Sequence, residues 1–383
     1  MTVRPVRVSV PEAELADLRS RLRRTRWPES ATGPGWAQGV PLEVLQELCA
    51  YWAEDYDWRR LEARLDAVPQ VLATVDGLDV HALHLPSPHP GAMPLVLTHG
   101  WPGSVVELLD VLGPLADPPA YGGNAADAFS VVCPSLPGYG WSAKPSEPGW
   151  GVERTADAWA GLMTLLGYDR FAAQGGDWGT SVSALIGARH PERVLGLCLV
   201  PPLAAPDPET FADLTGQERA ALAALDEGAR DGAYGLLHET RPQTVGYALL
   251  DSPAGLCAWI LEKLWSWCDH PGDLYAVVPR DRVLDLVTTY WMTGTAASSA
   301  RLYRESLPHV REVLGTVGAS PVQVPVAGIV FPGETIRPSR RWAERRFSRI
   351  VSWSTPARGG HFPALEQPAL FVDEVRAALR PLR

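Results

Sequence analysis

The chain has 383 residues, of which 46% are apolar and 20% charged, and a formal net charge of −10. It is long enough for one large α/β domain with insertions or a main domain with a smaller one, and its composition is that of a folded globular protein. Acidic and basic residues are interspersed, which argues against a nucleic-acid or anionic-lipid partner and favours a neutral or apolar small molecule.

No run approaches the roughly 18 apolar residues of a membrane span, and residues 1–10 (MTVRPVRVSV) lack a signal-peptide core, so a cytoplasmic protein is expected. The five cysteines, Cys49, Cys133, Cys198, Cys257 and Cys268, show no C-x-x-C spacing and are expected to be free and buried. No cofactor or metal site is predicted. Lys144 and Lys263 are the only lysines, an arginine-heavy usage that suits a GC-rich genome. Fifteen tryptophans supply core packing first and material for an apolar pocket second.

Residues 11–26 place Leu15, Leu18 and Leu22 at helical spacing after Pro11, and residues 41–52 repeat a helical pattern. The lead segment is therefore expected to be all-helical. Sheet signals begin at residues 69–85, where two β-rich runs meet at Asp76-Gly77, a favoured hairpin dipeptide. Apolar strand runs at 94–99, 129–134, 170–175 and 194–200 then alternate with helical patterns, which predicts a mainly parallel sheet covered on both faces. From about Pro201 to Ser320 the pattern is helical, Trp- and Tyr-rich and without clear strands, as an inserted cap would be. Strand runs return at 324–331 and 349–354, before a final helix.

The chemistry centres on QGGDWGTS, residues 174–181. Its G-x-Nuc-x-G spacing is that of a nucleophile elbow, with Asp177 where serine is usual. A carboxylate can attack a strained or halogenated sp³ carbon to form an alkyl ester, which water must then hydrolyse. That second step needs a base. His361, in ARGGHFPALEQP after the last strand run, fits the order nucleophile, acid, histidine. The acid is expected after the preceding strand, at Glu334 in VFPGETIRP, with Asp207 in PPLAAPDPET as its competitor. HGWPGS, residues 99–104, ends a strand where this arrangement supplies an oxyanion-hole donor, so the N–H groups of Trp101 and Trp178 are the candidates. The Pro- and Gly-rich loop at residues 134–145 is read as structural.

With these motifs in place the chain resembles the microsomal-type epoxide hydrolases of the α/β-hydrolase superfamily. The similarity runs nearly end to end, through VRVSVPEAELADLRSRLRRTRWPES, HGWPGS, GGDWG, TVGYALLDSPAGL, YWMTGTAASSARLYRES and GGHFPALEQP. It implies an N-terminal meander at 1–68, α/β-hydrolase core at 69–200, a helical cap at 201–320 and a second core part at 321–383. It also implies Asp177 as nucleophile, His361 as base and Glu334 as its carboxylate, with Tyr234 and Tyr303 of the cap activating the epoxide oxygen. Eukaryotic members often begin with a membrane anchor whereas this chain begins at the meander, so a soluble enzyme is expected, with homodimer formation left open. The overall form looks most like actinobacterial members, including those that act in enediyne antibiotic biosynthesis. The competing readings are a haloalkane dehalogenase, which would need halide donors in place of the tyrosines, and a non-catalytic receptor on the same fold.

Overall fold

A computed structural model describes residues 2–383, with the side chains of residues 229 and 230 left undescribed. At its centre is one sheet of nine strands: β1 (Val3–Pro5), β2 (Gln70–Val75), β3 (Leu78–Leu85), β4 (Met93–Thr98), β5 (Phe129–Pro134), β6 (Phe171–Gly176), β7 (Val194–Val200), β8 (Val326–Ile329) and β9 (Ile350–Ser354). Their spatial order is β1-β2-β3-β5-β4-β6-β7-β8-β9. The pairs from β5 through β9 are parallel, and β1, β2 and β3 extend the sheet antiparallel. Asp76 and Gly77 turn the β2–β3 hairpin with φ of 49° and 78°, the left-handed pair a two-residue turn requires.

Helices cover both faces, as neighbouring positions on β7 show. Leu197 reaches Gly187 of the helix Trp178–Arg189, whereas a Cβ at Gly196 would strike Leu382 at the chain's C-terminal end. Strands buried on both sides read as the continuous Val/Leu runs seen in the sequence. From β4 the chain steps to one side to form β5, then crosses back to place β6 on β4's other side. Ligands bind at such reversals, beyond the carboxyl ends of the strands, and here the loops after β4 and β6 meet there.

The lead segment departs from the all-helical expectation. Residues Val3, Arg4 and Pro5 pair with Ala73, Leu72 and Val71 as an edge strand. All three are exposed, so backbone pairing alone makes the strand and no apolar alternation announces it. A third helix, Trp58–Asp66, follows the expected two. Asp57 caps it by accepting from Arg59 N at 2.9 Å, and it buries Trp58, Leu61 and Leu65.

Between β7 and β8 the described residues form helices and no strand, chiefly Gly216–Asp231, Ala233–Thr240, Pro242–Asp251, Pro253–Trp267, Arg280–Thr293 and Ala296–Gly315. The lead segment braces this region. Buried Asp285 of the helix Arg280–Thr293 accepts from Tyr56 Oη at 2.9 Å and from Arg60 Nη2 at 2.7 Å. From the same helix Tyr290 Oη donates to Gly103 O at 2.8 Å, and Tyr139 Oη of the core donates to Ser299 O at 3.1 Å. These bonds hold the helical layer in register over the sheet's carboxyl edge.

Candidate active site

Asp177 sits between β6 and the helix Trp178–Arg189 with φ 51° and ψ −125°, a conformation rare for a residue with a side chain. Its neighbours are small because the turn leaves no space. A Cβ on Gly175 would lie 2.8 Å from Gly179 Cα, and one on Gly179 would overlap the Thr98 carbonyl. The strand and helix therefore press together and push the Asp177 side chain outward.

One carboxylate oxygen is fixed. Trp101 N donates to Asp177 Oδ1 at 2.8 Å. His99 shapes that donor loop, with Nε2 accepting from Leu136 N at 3.1 Å and Nδ1 lying 2.9 Å from Gly100 O, so Nδ1 carries the proton. Burial holds the His99 imidazole down to about 4, and it stays neutral. The main-chain N–H of Trp178 opens the helix after Asp177, where an anionic oxygen is favoured.

His361 Nε2 lies 3.3 Å from the other oxygen, Asp177 Oδ2, without hydrogen-bond alignment. On the far side of the ring, Nδ1 is 2.7 Å from Glu334 Oε1, which also accepts from Thr335 N at 2.7 Å. Burial alone would lower the His361 pKa, but the Glu334 charge and hydrogen bond, with the Asp177 carboxylate close by, outweigh it and raise it well above the usual histidine range. Glu366 holds the loop. It accepts from Gly360 N at 2.9 Å, Phe362 N at 2.8 Å and Asp269 N at 2.7 Å, while His361 N donates to Trp267 O at 2.9 Å. Gly360 is obligatory here because a Cβ would meet Asp269 N at 2.8 Å.

Above the nucleophile, Tyr234 and Tyr303 stand with ring centroids 5.8 Å apart. Trp101 stacks on Tyr234 at 5.1 Å, and Trp178 meets Tyr303 edge-on at 4.8 Å. Burial raises both phenol pKa values, and the Asp177 charge adds to each, so both remain protonated donors at neutral pH. A cavity of about 160 Å³ brings Asp177, Trp178, Tyr234, Tyr303, Glu334 and His361 together, with Trp267, Leu307, Val310 and Ile336 as apolar wall.

All seven residues singled out from sequence thus converge, and Asp207 does not. It caps the turn Pro208–Thr210 by accepting from Glu209 N at 3.0 Å and lies 3.3 Å from Arg345 Nε, so the His361 partner is Glu334. The sequence reading passed over three residues. Glu366 lies inside the quoted GGHFPALEQP; Glu107 completes a capping box begun by Ser104; Lys263, one of two lysines, sets Nζ 4.4 Å above the Tyr234 ring. Only Glu107 carried a local signal, the S-x-x-E spacing.

The comparisons agree with this geometry. The family described as epoxide hydrolase N terminus matches residues 3–108, and the alpha/beta hydrolase fold family matches residues 93–238. A Stigmatella aurantiaca protein with a provisional epoxide hydrolase name is 47% identical over 382 residues, spanning 100% of this chain and 86% of that one. Epoxide hydrolase 1 of Sus scrofa is 32% identical over 98% of this chain and 88% of its own. The solved Aspergillus niger epoxide hydrolase superposes with a TM-score of 0.88 at 30% identity, covering 100% of this chain and 97% of that one. With family matches over residues 3–238 and with sequence identity and fold in accord along the whole chain, it belongs to the microsomal-type epoxide hydrolase family and has the α/β-hydrolase fold.

Proposed function

We propose that the enzyme opens an epoxide to a vicinal diol in two steps through an alkyl ester on Asp177. The observation that carries this reading is the split environment of the Asp177 carboxylate. Oδ1 is tethered by Trp101 N–H, while Oδ2 faces His361 in a cavity shared with two phenols. Oδ2 is then the attacking oxygen. It forms a bond to an epoxide carbon as the C–O bond breaks, and Tyr234 and Tyr303 stabilise and protonate the developing alkoxide.

Esterification removes the Asp177 charge, one of the causes that hold the His361 pKa up, and so releases the imidazole to act as base. Water attacks Cγ, its proton passes to His361 Nε2, and Glu334 stabilises the imidazolium. Negative charge collects on Oδ1, where Trp101 N–H and Trp178 N–H stabilise it. Collapse expels the diol carrying Oδ2, which takes the proton of the re-formed Asp177 carboxyl; the imidazolium returns its proton to the tyrosine pair, and the water oxygen stays in Asp177.

A first turnover in ¹⁸O-water tests this directly. The reading expects unlabelled diol and label in the Asp177 peptide; label in the first diol would refute it. The apolar wall suits small aryl or alkyl epoxides. The cytoplasmic location belongs to this proposal too, as does a role in enediyne or other natural-product biosynthesis. That role rests on motif resemblance and arginine-heavy composition, and an epoxide intermediate accumulating in a deletion strain would support it.

A further inference from the structure

A partly buried carboxyl group that the two steps above leave unused lies beside them. Glu107 belongs to the short helix Val105–Leu108, where its Oε2 accepts from Ser104 N at 3.2 Å and closes the capping box. A cap needs one oxygen. Oε1 has no hydrogen-bond donor among the described residues.

The side chain helps wall a second cavity, of about 30 Å³, together with Gly100, Trp101, Asp177, His361 and Phe362. That volume accommodates a single water, which needs two or more polar partners to be held. Two are at hand, since buried His361 Nε2 also has no hydrogen-bond partner among the described residues. Burial pushes the Glu107 carboxyl up to about 8, the His361 charge opposing and the Asp177 charge adding to the effect. Protonated at Oε2 or ionised, the carboxyl presents Oε1 as a hydrogen-bond acceptor.

We infer that Glu107 positions the water that hydrolyses the Asp177 ester, holding it in the smaller cavity between Oε1 and His361 Nε2. The inference rests on the covalent reading above. The water gives one proton to Nε2 and keeps the other in its hydrogen bond to Oε1, which leaves a lone pair for Cγ. Glu107 itself neither gains nor loses a proton in the cycle.

Glu107→Gln separates this role from capping. Glutamine still satisfies the cap through its amide oxygen, but that turns its NH₂ toward the cavity, a donor where the water needs an acceptor. Stopped-flow tryptophan fluorescence should show ester formation within about twofold of wild type and ester hydrolysis slowed roughly 10- to 100-fold, the scale of a reacting group displaced by about 1 Å. Glu107→Asp withdraws the carboxyl from the cavity and serves as a second probe, expected to split the two steps in the same direction. Unchanged hydrolysis in both variants would overturn the assignment, as would equal slowing of both steps, the mark of a distorted loop. Failure of the covalent reading looks different: no Asp177 ester would form in His361→Gln enzyme either.

Discussion

Gly100→Ala probes the tightest point of the proposed site with one methyl group. The Gly100 backbone is not left-handed, so alanine adds no φ strain there and acts only through the space it occupies. A Cβ at this position would fall 2.6 Å from Asp177 Cγ and nearer still to Oδ1. Ordinary carbon contacts lie near 3.5 Å, so the carboxylate must retreat by about 1 Å. That shift breaks the 2.8 Å bond from Trp101 N, the donor proposed to hold Oδ1 in both steps. Displacing a reacting group by about 1 Å costs on the order of 10² in rate, and losing an oxyanion donor about 10² to 10³. The two losses are one event, so ester formation and hydrolysis should each fall by roughly 10² to 10³, or about 3–4 kcal/mol of transition-state stabilisation. Overpacking should lower stability by about 1–3 kcal/mol, leaving a folded protein to assay. Single-turnover fluorescence with an aryl epoxide gives both rates. Ester formation within threefold of wild type would show that the tethered carboxylate is not the reacting group.

Three further outcomes follow from the same geometry. Tyr234→Phe or Tyr303→Phe should slow ester formation by roughly one to three powers of ten, and the double variant should nearly abolish it with the fold intact; an unchanged alkylation rate in the double variant would remove both tyrosines from the chemistry. Because the Asp177 charge helps raise the His361 pKa, an NMR titration should find that pKa lower in Asp177→Asn than in wild type, and equal values would contradict the assigned electrostatics. Glu218 links the helix Gly216–Asp231 to Arg341, whose Nε lies 2.6 Å away, and that hydrogen bond chiefly draws the carboxyl down to about 2 from 4.5. A depressed carboxyl stabilises the fold above its unfolded value, so Glu218→Gln should lower the thermal midpoint at pH 7, with the gap closing as pH falls from about 4.5 toward 2; a gap independent of pH would rule the ion pair out.

The parts of the site that were legible in sequence are those where the backbone allows few residue types. The elbow around Asp177, the glycines before His361 and the Asp76-Gly77 turn show themselves because positive φ or close approach excludes larger side chains. The parallel core was legible because strands covered on both faces must be apolar throughout. By contrast, β1 is three exposed residues held by backbone bonds, and no side-chain pattern records such pairing. Trp58–Asp66 did carry a cap and an apolar stripe, but it is only nine residues long and follows a loop of two acidic residues and a tyrosine. Tyr234 and Tyr303 emerged through the family resemblance alone. Their meeting over Asp177 depends on how separate helices pack, which local spacing does not encode. The same holds for Glu107: its cap was readable, but the cavity it faces exists only once the loops after β4 and β6 and the His361 loop come together.

The claim on which the rest depends is that Asp177 becomes an ester during turnover. His361→Gln removes the base of the second step while leaving the nucleophile and both tyrosines in place. Mixed with an aryl epoxide, quenched in acid and digested, this variant should show the mass of one substrate molecule added to the peptide that contains Asp177, and Asp177→Asn should show none. Diol formation by His361→Gln at the wild-type rate, with no adduct on that peptide at any time point, would contradict the account.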